Sequence, residues 1–313
     1  MQSVIEVEGL VKRYSKSKEN AVDGISFDIR PGEFFALLGP NGAGKTTTIS
    51  VLTTTLLATA GIVRVCGYDV GLDPSGVRRN AGIIFQNRSL DENLTAEENI
   101  RLHAILYGMY SFRPTFGTMP RQYKQKVSEL ATVLGIESEI HKPIRSFSGG
   151  MKRKLEIIRG LIHGPKVLFL DEPTTGLDPE SRRNLWEYLS EAQERNGVTV
   201  FLTTHYLEEA DNADRICIID RGRIVSLGTP DEVKSDLTGA YLMLDCDDRL
   251  SLSRELDSLG VEFEINRRFK IQIHPKEVHR LLRNIDTPLT VVETQAATLE
   301  DAYLKIIGED SWN

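Results

Sequence analysis

The sequence predicts an α/β protein in which a largely parallel sheet is covered by helices on both faces, followed by a small α+β unit. Three observations carry this. Short apolar runs alternate with helical stretches through the first two thirds of the chain, the order that builds parallel sheets. A glycine-rich loop, Gly39-Pro-Asn-Gly-Ala-Gly-Lys-Thr46, stands between one such run and a helix. After about Asp236 the order becomes strand, helix, strand pair, helix, strand, which is the βαββαβ order of a ferredoxin-like sandwich.

Taken in order, Val4 to Val11 alternates apolar and polar residues as a half-buried strand does, and Ile25 to Ile29 repeats the pattern. Pro31-Gly32 makes a turn. Phe34 to Leu38 is wholly apolar and ends at glycine, a buried strand, and Thr46 to Leu57 continues as a helix. Further buried strands are predicted at Gly82 to Phe85, Val167 to Leu170, Thr199 to Thr203 and Arg215 to Asp220. Helices are predicted at Ala96 to Tyr107, Gln122 to Leu134, Gly149 to Ile162 and Glu180 to Arg195, so residues 87–163 form a helical insertion in the α/β core. The expected division is 1–236 and 237–313. In the second part the strands are Tyr241 to Asp245, Val261 to Ile265, Phe269 to Ile273 and Leu289 to Glu293, with helices at Arg249 to Leu259, Lys276 to Asn284 and Leu299 to Ile307.

Composition bounds the function. The 313 residues are 40% hydrophobic and 27% charged, ordinary for a globular chain. Lysine and arginine number 38 against 45 acidic residues, a net charge of −7, which argues against a nucleic-acid ligand. It does not argue against a nucleotide, since a phosphate site can be built from backbone N–H groups, one lysine and a metal. Three scattered cysteines form no CxxC pair and read as buried hydrophobes. Thr46 to Val63 lacks charge over 18 residues, but its seven threonines and a serine make it a buried helix and strand rather than a membrane span of ~20 apolar residues.

Gly39 to Thr46 fits the G-x-x-x-x-G-K-[ST] phosphate loop, in the strand-loop-helix setting that pattern requires. Its glycines, Gly39, Gly42 and Gly44, let backbone N–H groups turn inward around phosphates in a loop completed by Pro40, Asn41 and Ala43. Lys45 suits the β- and γ-phosphates, the Thr46 hydroxyl suits Mg²⁺, and Thr47 opens the helix whose N-terminus favours anions. Val167 to Leu170 runs into Asp171-Glu172, placing two carboxylates at a strand end, where an α/β sheet binds ligands. Asp171 suits Mg²⁺, and Glu172 suits polarising an attacking water. A solvated strand end is the plainer reading of that acid pair alone.

These two motifs give a P-loop ATPase. Phe147-Ser-Gly-Gly-Met-Lys152 then resembles the signature of the ATP-binding cassette (ABC) transporter ATPases, with Phe and Met at its first and fifth positions. The Met151 to Lys154 continuation and the tail Thr298 to Lys305 resemble the daunorubicin-resistance type of drug and lipid exporter. The resemblance implies a cassette with an antiparallel β subdomain at its N-terminus, a helical subdomain, and ATP with Mg²⁺ as ligands. It implies that Tyr14 stacks on adenine, that Val22 supports the base, and that Gln86 touches Mg²⁺ and senses the membrane partner. It implies that Ser148, Gly149 and Gly150 meet the γ-phosphate held by an opposite subunit, that Asp178 of Gly176-Leu-Asp178 belongs to the D-loop, and that His205 contacts the γ-phosphate. The expected partners are a second copy or a paralogous cassette and a polytopic membrane subunit, with no nucleic acid. The expected place is the cytoplasmic face of the membrane. The competing class is a soluble cassette acting on DNA or the ribosome; no heptad run or second cassette speaks for it. The long stretch Gly108 to Lys124 reads as an exposed loop, or as a contact with the membrane partner.

Overall fold

The computed structural model describes residues 3–15, 17–85, 90–204, 206–235, 240–273, 277–296, 298–301 and 303. Two units are distinguished, Met1–Leu227 and Gly228–Asn313.

The first unit begins with β1 (Ile5–Lys12), β2 (Val22–Ile29), β3 (Phe34–Leu38), α1 (Lys45–Leu52), β4 (Ala60–Val65), β5 (Tyr68–Asp69), α2 (Pro74–Asn80) and β6 (Ala81–Ile84). It continues with α3 (Ala96–Leu106), α4 (Arg121–Val133), α5 (Gly149–Leu161), β7 (Val167–Asp171), α6 (Pro179–Asn196), β8 (Thr199–Thr204), α7 (Leu207–Ala210), β9 (Arg215–Asp220) and β10 (Arg223–Gly228). One sheet is antiparallel in the order β2-β1-β4-β5; the other has the order β10-β9-β3-β8-β7-β6, and β9, β3, β8, β7 and β6 pair in parallel. β3 and β7 are buried at every residue, so their apolar runs carry no alternation.

The two sheets meet on aromatic rings. Phe27 of the first stacks on Phe35 of the second at 5.3 Å, Phe35 on Phe201 at 5.7 Å, and Phe201 lies 5.6 Å from Phe169. Each such ring contributes about 1.5–3 kcal/mol by burial, and each pair about 0.5–1.5 kcal/mol more. The parallel register sets Leu38 opposite Thr204 and Asp171 opposite Thr203. The phosphate loop, the acid pair and the end of β8 therefore leave the sheet side by side.

Three helices, α3, α4 and α5, lie between β6 and β7 in the chain, and α5 packs on both α3 and α4. A capping box starts α3: Thr95 accepts from Glu98 N–H, while the Glu98 carboxylate takes the Thr95 N–H. His103 and His163 flank Tyr107 with centroids 4.3 and 4.4 Å away, and burial pushes His103 down to about 3, so it stays neutral at physiological pH. The stretch from Gly108 to Lys124, expected as an exposed loop or a contact with the membrane partner, is mostly exposed but pinned at several points. Arg101 donates to the Arg113 carbonyl, Lys124 to that of Gly117, and Met119 is buried, while Phe112 stands exposed.

Helix α1 ends earlier than Leu57. The Thr53 and Thr55 hydroxyls take the Ile49 and Ser50 carbonyls at 2.8 Å, and Thr54 turns left-handed at φ 63°. The threonines that leave this stretch uncharged without making it apolar are what stop the helix.

In the second unit, α8 (Pro230–Ser235) is followed by β11 (Ala240–Cys246), α9 (Arg249–Ser258), β12 (Glu264–Ile265), β13 (Phe269–Ile273), α10 (Val278–Leu282) and β14 (Leu289–Ala296). The sheet order is β12-β13-β11-β14, antiparallel throughout, the arrangement of a ferredoxin-like sandwich. Its core gathers Leu242, Leu244, Leu252, Leu256, Phe269, Ile271 and Leu281. β12 is shorter than Val261 to Ile265 because the Val261 N–H closes α9 on the Leu256 carbonyl. Most of the expected helix Leu299 to Ile307 lies outside the described residues. Among the described residues no helix is long and apolar enough to cross a membrane.

Candidate functional site

The loop after β3 turns on glycines that cannot be replaced freely. Gly44 caps α1 at φ 110°, and a Cβ there would stand 2.5 Å from the Ala21 carbonyl oxygen. A Cβ on Gly39 would collide with the Ile219 carbonyl oxygen. Lys45 Nζ donates to the carbonyls of Gly39 at 2.6 Å and Pro40 at 3.0 Å. An ammonium has three donors, so a third can serve a phosphate oxygen. Burial lowers the Lys45 pKa, and the charges of Glu172 and Asp171 work against that.

Ala21, Asn41, Gly42, Gly44, Lys45, Thr46, Thr47 and Glu172 line a cleft of about 170 Å³. The loop and one of the two acids thus share one space. Asp171 lies behind it, 3% exposed, accepting from the Thr203 hydroxyl at 2.5 Å. Burial raises its pKa; the Thr203 hydrogen bond lowers it, and so do the Arg153 and Lys45 charges, whereas Glu172 adds to the rise. Glu172 has φ 47°, a left-handed backbone that costs a non-glycine residue about 1–3 kcal/mol. Its N–H donates to the Thr203 carbonyl at 3.0 Å, which helps to hold the turn. The Thr46 hydroxyl and the Asp171 carboxylate are hard oxygen donors of the kind Mg²⁺ takes alongside substrate phosphates. Among the described residues no group of three or more His, Cys, Asp or Glu side chains is placed to cage a metal.

Tyr14 stands beside the loop, 46% exposed, its hydroxyl 3.3 Å from that of Thr47. Val22 is fully buried under Gly44, so it packs the loop from beneath, and Ala21 is the residue that faces the cleft. Pro40 and Ala43 hold the loop backbone, Ala43 accepting from Gly222 N–H at 2.9 Å. Gln86 and His205 lie outside the described residues.

The second glycine segment is elsewhere. Ser148 caps α5, accepting from Met151 N–H, and buried Phe147 anchors it while Ser148 and Gly149 face outward. None of Ser148, Gly149 and Gly150 lines the cleft of the phosphate loop. Asp178 caps α6, accepting from the Ser181 N–H at 2.8 Å and hydroxyl at 2.5 Å, and pairs with Lys154 at 3.8 Å. Those Ser181 hydrogen bonds hold its carboxyl below the usual range.

Two buried side chains to which the sequence assigned no role tie these segments together. Glu209, on α7, accepts from the Thr174 hydroxyl and, at 2.7 Å, from that of Thr204, so it joins the loop after the acid pair to the strand end before His205. Arg153, on α5, reaches the carbonyls of that same loop.

Comparison with known proteins agrees with this geometry. Residues 22–175 match the family model described as ABC transporter. The daunorubicin/doxorubicin resistance ATP-binding protein DrrA of Streptomyces peucetius is 40% identical over 83% of this chain and 76% of its own length. The Nod factor export ATP-binding protein I of Paraburkholderia xenovorans is 35% identical over 99% of this chain and 98% of its own. Among solved structures, an ATP-binding subunit of an ABC transporter superposes with TM-score 0.68 at 30% identity, covering 75% of this chain and 93% of the other. The dimeric bacterial ABC transporter cassette MJ0796 does so with TM-score 0.65 at 25% identity, covering 72% and 98%. Because these relatives are ATP-binding proteins of drug resistance and Nod factor export, the reading as a DNA- or ribosome-acting ATPase is not favoured. The chain belongs to the ABC transporter family, as an ATP-binding subunit whose ATPase powers transport.

Proposed function

We propose that this subunit drives export of a drug-, antibiotic- or lipid-like molecule by closing head to tail, with a second copy or a paralogous cassette, around two nucleotides. The observation that carries the shared site is that Ser148, Gly149 and Gly150 are absent from the walls of the cleft that Lys45, Thr46 and Glu172 line. A helix N-terminus facing outward, with Ser148 and Gly149 exposed and Gly150 half-buried, is complementary to a phosphate presented by another chain. Two-fold pairing then yields two identical composite sites.

In this reading the loop from Gly39 to Thr47 holds the phosphates, Lys45 neutralises them, and Thr46, Asp171 and Gln86 hold Mg²⁺, whose charge would offset that of the phosphates. Glu172 orients the attacking water, His205 contacts the γ-phosphate, and Asp178 keeps the D-loop at the start of α6. Residues 1–236 serve as the cassette, and 237–313 as a second domain. A polytopic membrane subunit at the cytoplasmic face contacts Gln86 and the helical segment. The export direction is supported by the names of the drug-resistance and Nod factor relatives.

Tyr14 is assigned to the adenine. Tyr14→Ala weakens ATP binding by about 1–3 kcal/mol, on the scale of base–aromatic stacking, while Tyr14→Trp is tolerated. Equal affinity of the alanine variant and the parent in equilibrium binding contradicts that assignment. The wider reading is tested by affinity capture of the full-length chain from detergent-solubilised cells. A polytopic membrane protein that stimulates the ATPase is the expected result; ribosomes or DNA in its place contradict it.

A further inference from the structure

Arg153 follows Ser148 by five residues on α5, yet it is 3% exposed and its guanidinium leaves its own helix. Nε donates to the Pro173 carbonyl at 3.0 Å, and Nη2 to the carbonyls of Asp171 and Glu172, each at 3.0 Å. Nη1 donates to the Phe85 carbonyl, one residue before Gln86, and lies 3.4 Å from the Glu156 carboxylate. Three consecutive carbonyls of one turn and a fourth from another strand end thus converge on one planar group.

Burying a cation is unfavourable unless its donors are satisfied, and an apolar side chain of similar size would fill such a space at least as well. What the guanidinium supplies is its fixed fork, which a lysine lacks. The carbonyls it grips flank Glu172, the residue held at φ 47°. Without the fork, the Asp171–Pro173 turn loses the cation that grips three of its successive carbonyls, which weakens the hold on a left-handed glutamate.

We propose that Arg153 is a positioning residue: it clamps the Asp171–Pro173 turn, fixing where the Glu172 carboxylate stands, and it ties that turn to the Ser148 helix and to the strand end before Gln86. A movement of α5 is thereby transmitted to the backbone that carries Glu172. The inference rests on the reading of Glu172 as the residue that orients water.

The test uses the full-length chain with Arg153→Lys, Arg153→Gln and Arg153→Ala. The readouts are kcat and KM for Mg·ATP, affinity for a non-hydrolysable ATP analogue, and Tm. The expected result is a kcat about 10–100-fold lower in all three variants, the scale of a catalytic group displaced by about 1 Å, with analogue affinity unchanged. Lysine does not rescue, and added methylguanidine restores part of the turnover of Arg153→Ala. Parental kcat in Arg153→Gln, full rescue by lysine, or losses of analogue binding and Tm that track the loss of turnover each overturn the proposal. Glu172→Gln measured alongside separates the two readings. If it hydrolyses normally, the role of Glu172 fails. If it is inactive while Arg153→Gln is normal, only the clamp fails.

Discussion

Glu172→Gln stops ATP hydrolysis, leaves ATP binding in place, and accumulates closed pairs of chains in gel filtration with ATP. The substitution keeps the size of the side chain and its hydrogen bonding but removes the carboxylate. General-base assistance accounts for about 10²–10⁴-fold in rate, and turnover is expected to fall by that factor. Binding survives because the groups assigned to the phosphates, Lys45 and the loop amides, are untouched. The pairs persist because nucleotide favours the closed state and hydrolysis is what removes that preference. Normal hydrolysis by Glu172→Gln contradicts the assignment.

Lys45→Ala acts one step earlier. Lys45 is the loop's cation, buried at 6% exposure and aimed across the loop at the Gly39 and Pro40 carbonyls. Hydrogen bonds to a charged partner contribute about 1.5–3 kcal/mol, so ATP affinity is expected to fall ~10–100-fold and hydrolysis to vanish. The variant also loses the ammonium's hydrogen bonds to the Gly39 and Pro40 carbonyls, while the tight turns at Gly39 and Gly44 and the Ala43 contact with Gly222 stay. Parental affinity in Lys45→Ala, measured by calorimetry, contradicts the phosphate-loop role.

The parts of this molecule written as local pattern were legible in the sequence. Phe34 to Leu38 and Arg215 to Asp220 are strands with the bounds read from the sequence, because a short apolar core between turn or charged residues suits a buried parallel strand better than a helix. The order of the second unit was readable for the same reason, as each turn marks a change of period. Cooperative hydroxyl contacts were not readable: Thr53 and Thr55 end α1 by back-bonding that composition does not reveal. Helix α2 carries Asp73 as its cap and Pro74 as its first residue, a start signal that a search for apolar runs passes over. Val22 and Ala21 differ by one step of a strand pleat, and the choice between them depends on which face the sheet buries. The roles of Arg153 and Glu209 were not readable because the backbone carbonyls that Arg153 grips lie 18–68 residues away, and Thr174, one partner of Glu209, lies 35 away. Asp178 carries a plainer signal, an acidic cap before Pro179 with a serine three residues on, and it serves α6 in that way whatever else it does.

The claim that each active site is completed by a second chain is tested most directly with two mixed dimers that carry the same lesions in different arrangements. In the first, a Lys45→Ala chain is paired with a Ser148→Arg chain. In the second, a parental chain is paired with a chain bearing both substitutions. Differently tagged subunits, purified in tandem, establish that each mixed dimer forms. If sites are shared, the first pair contains one site with both lesions and one with neither, while the second contains two sites with one lesion each. ATPase activity in the first pair and none in the second is the predicted result. Activity in the second pair and none in the first would mean that each chain completes its own site, and would contradict the account.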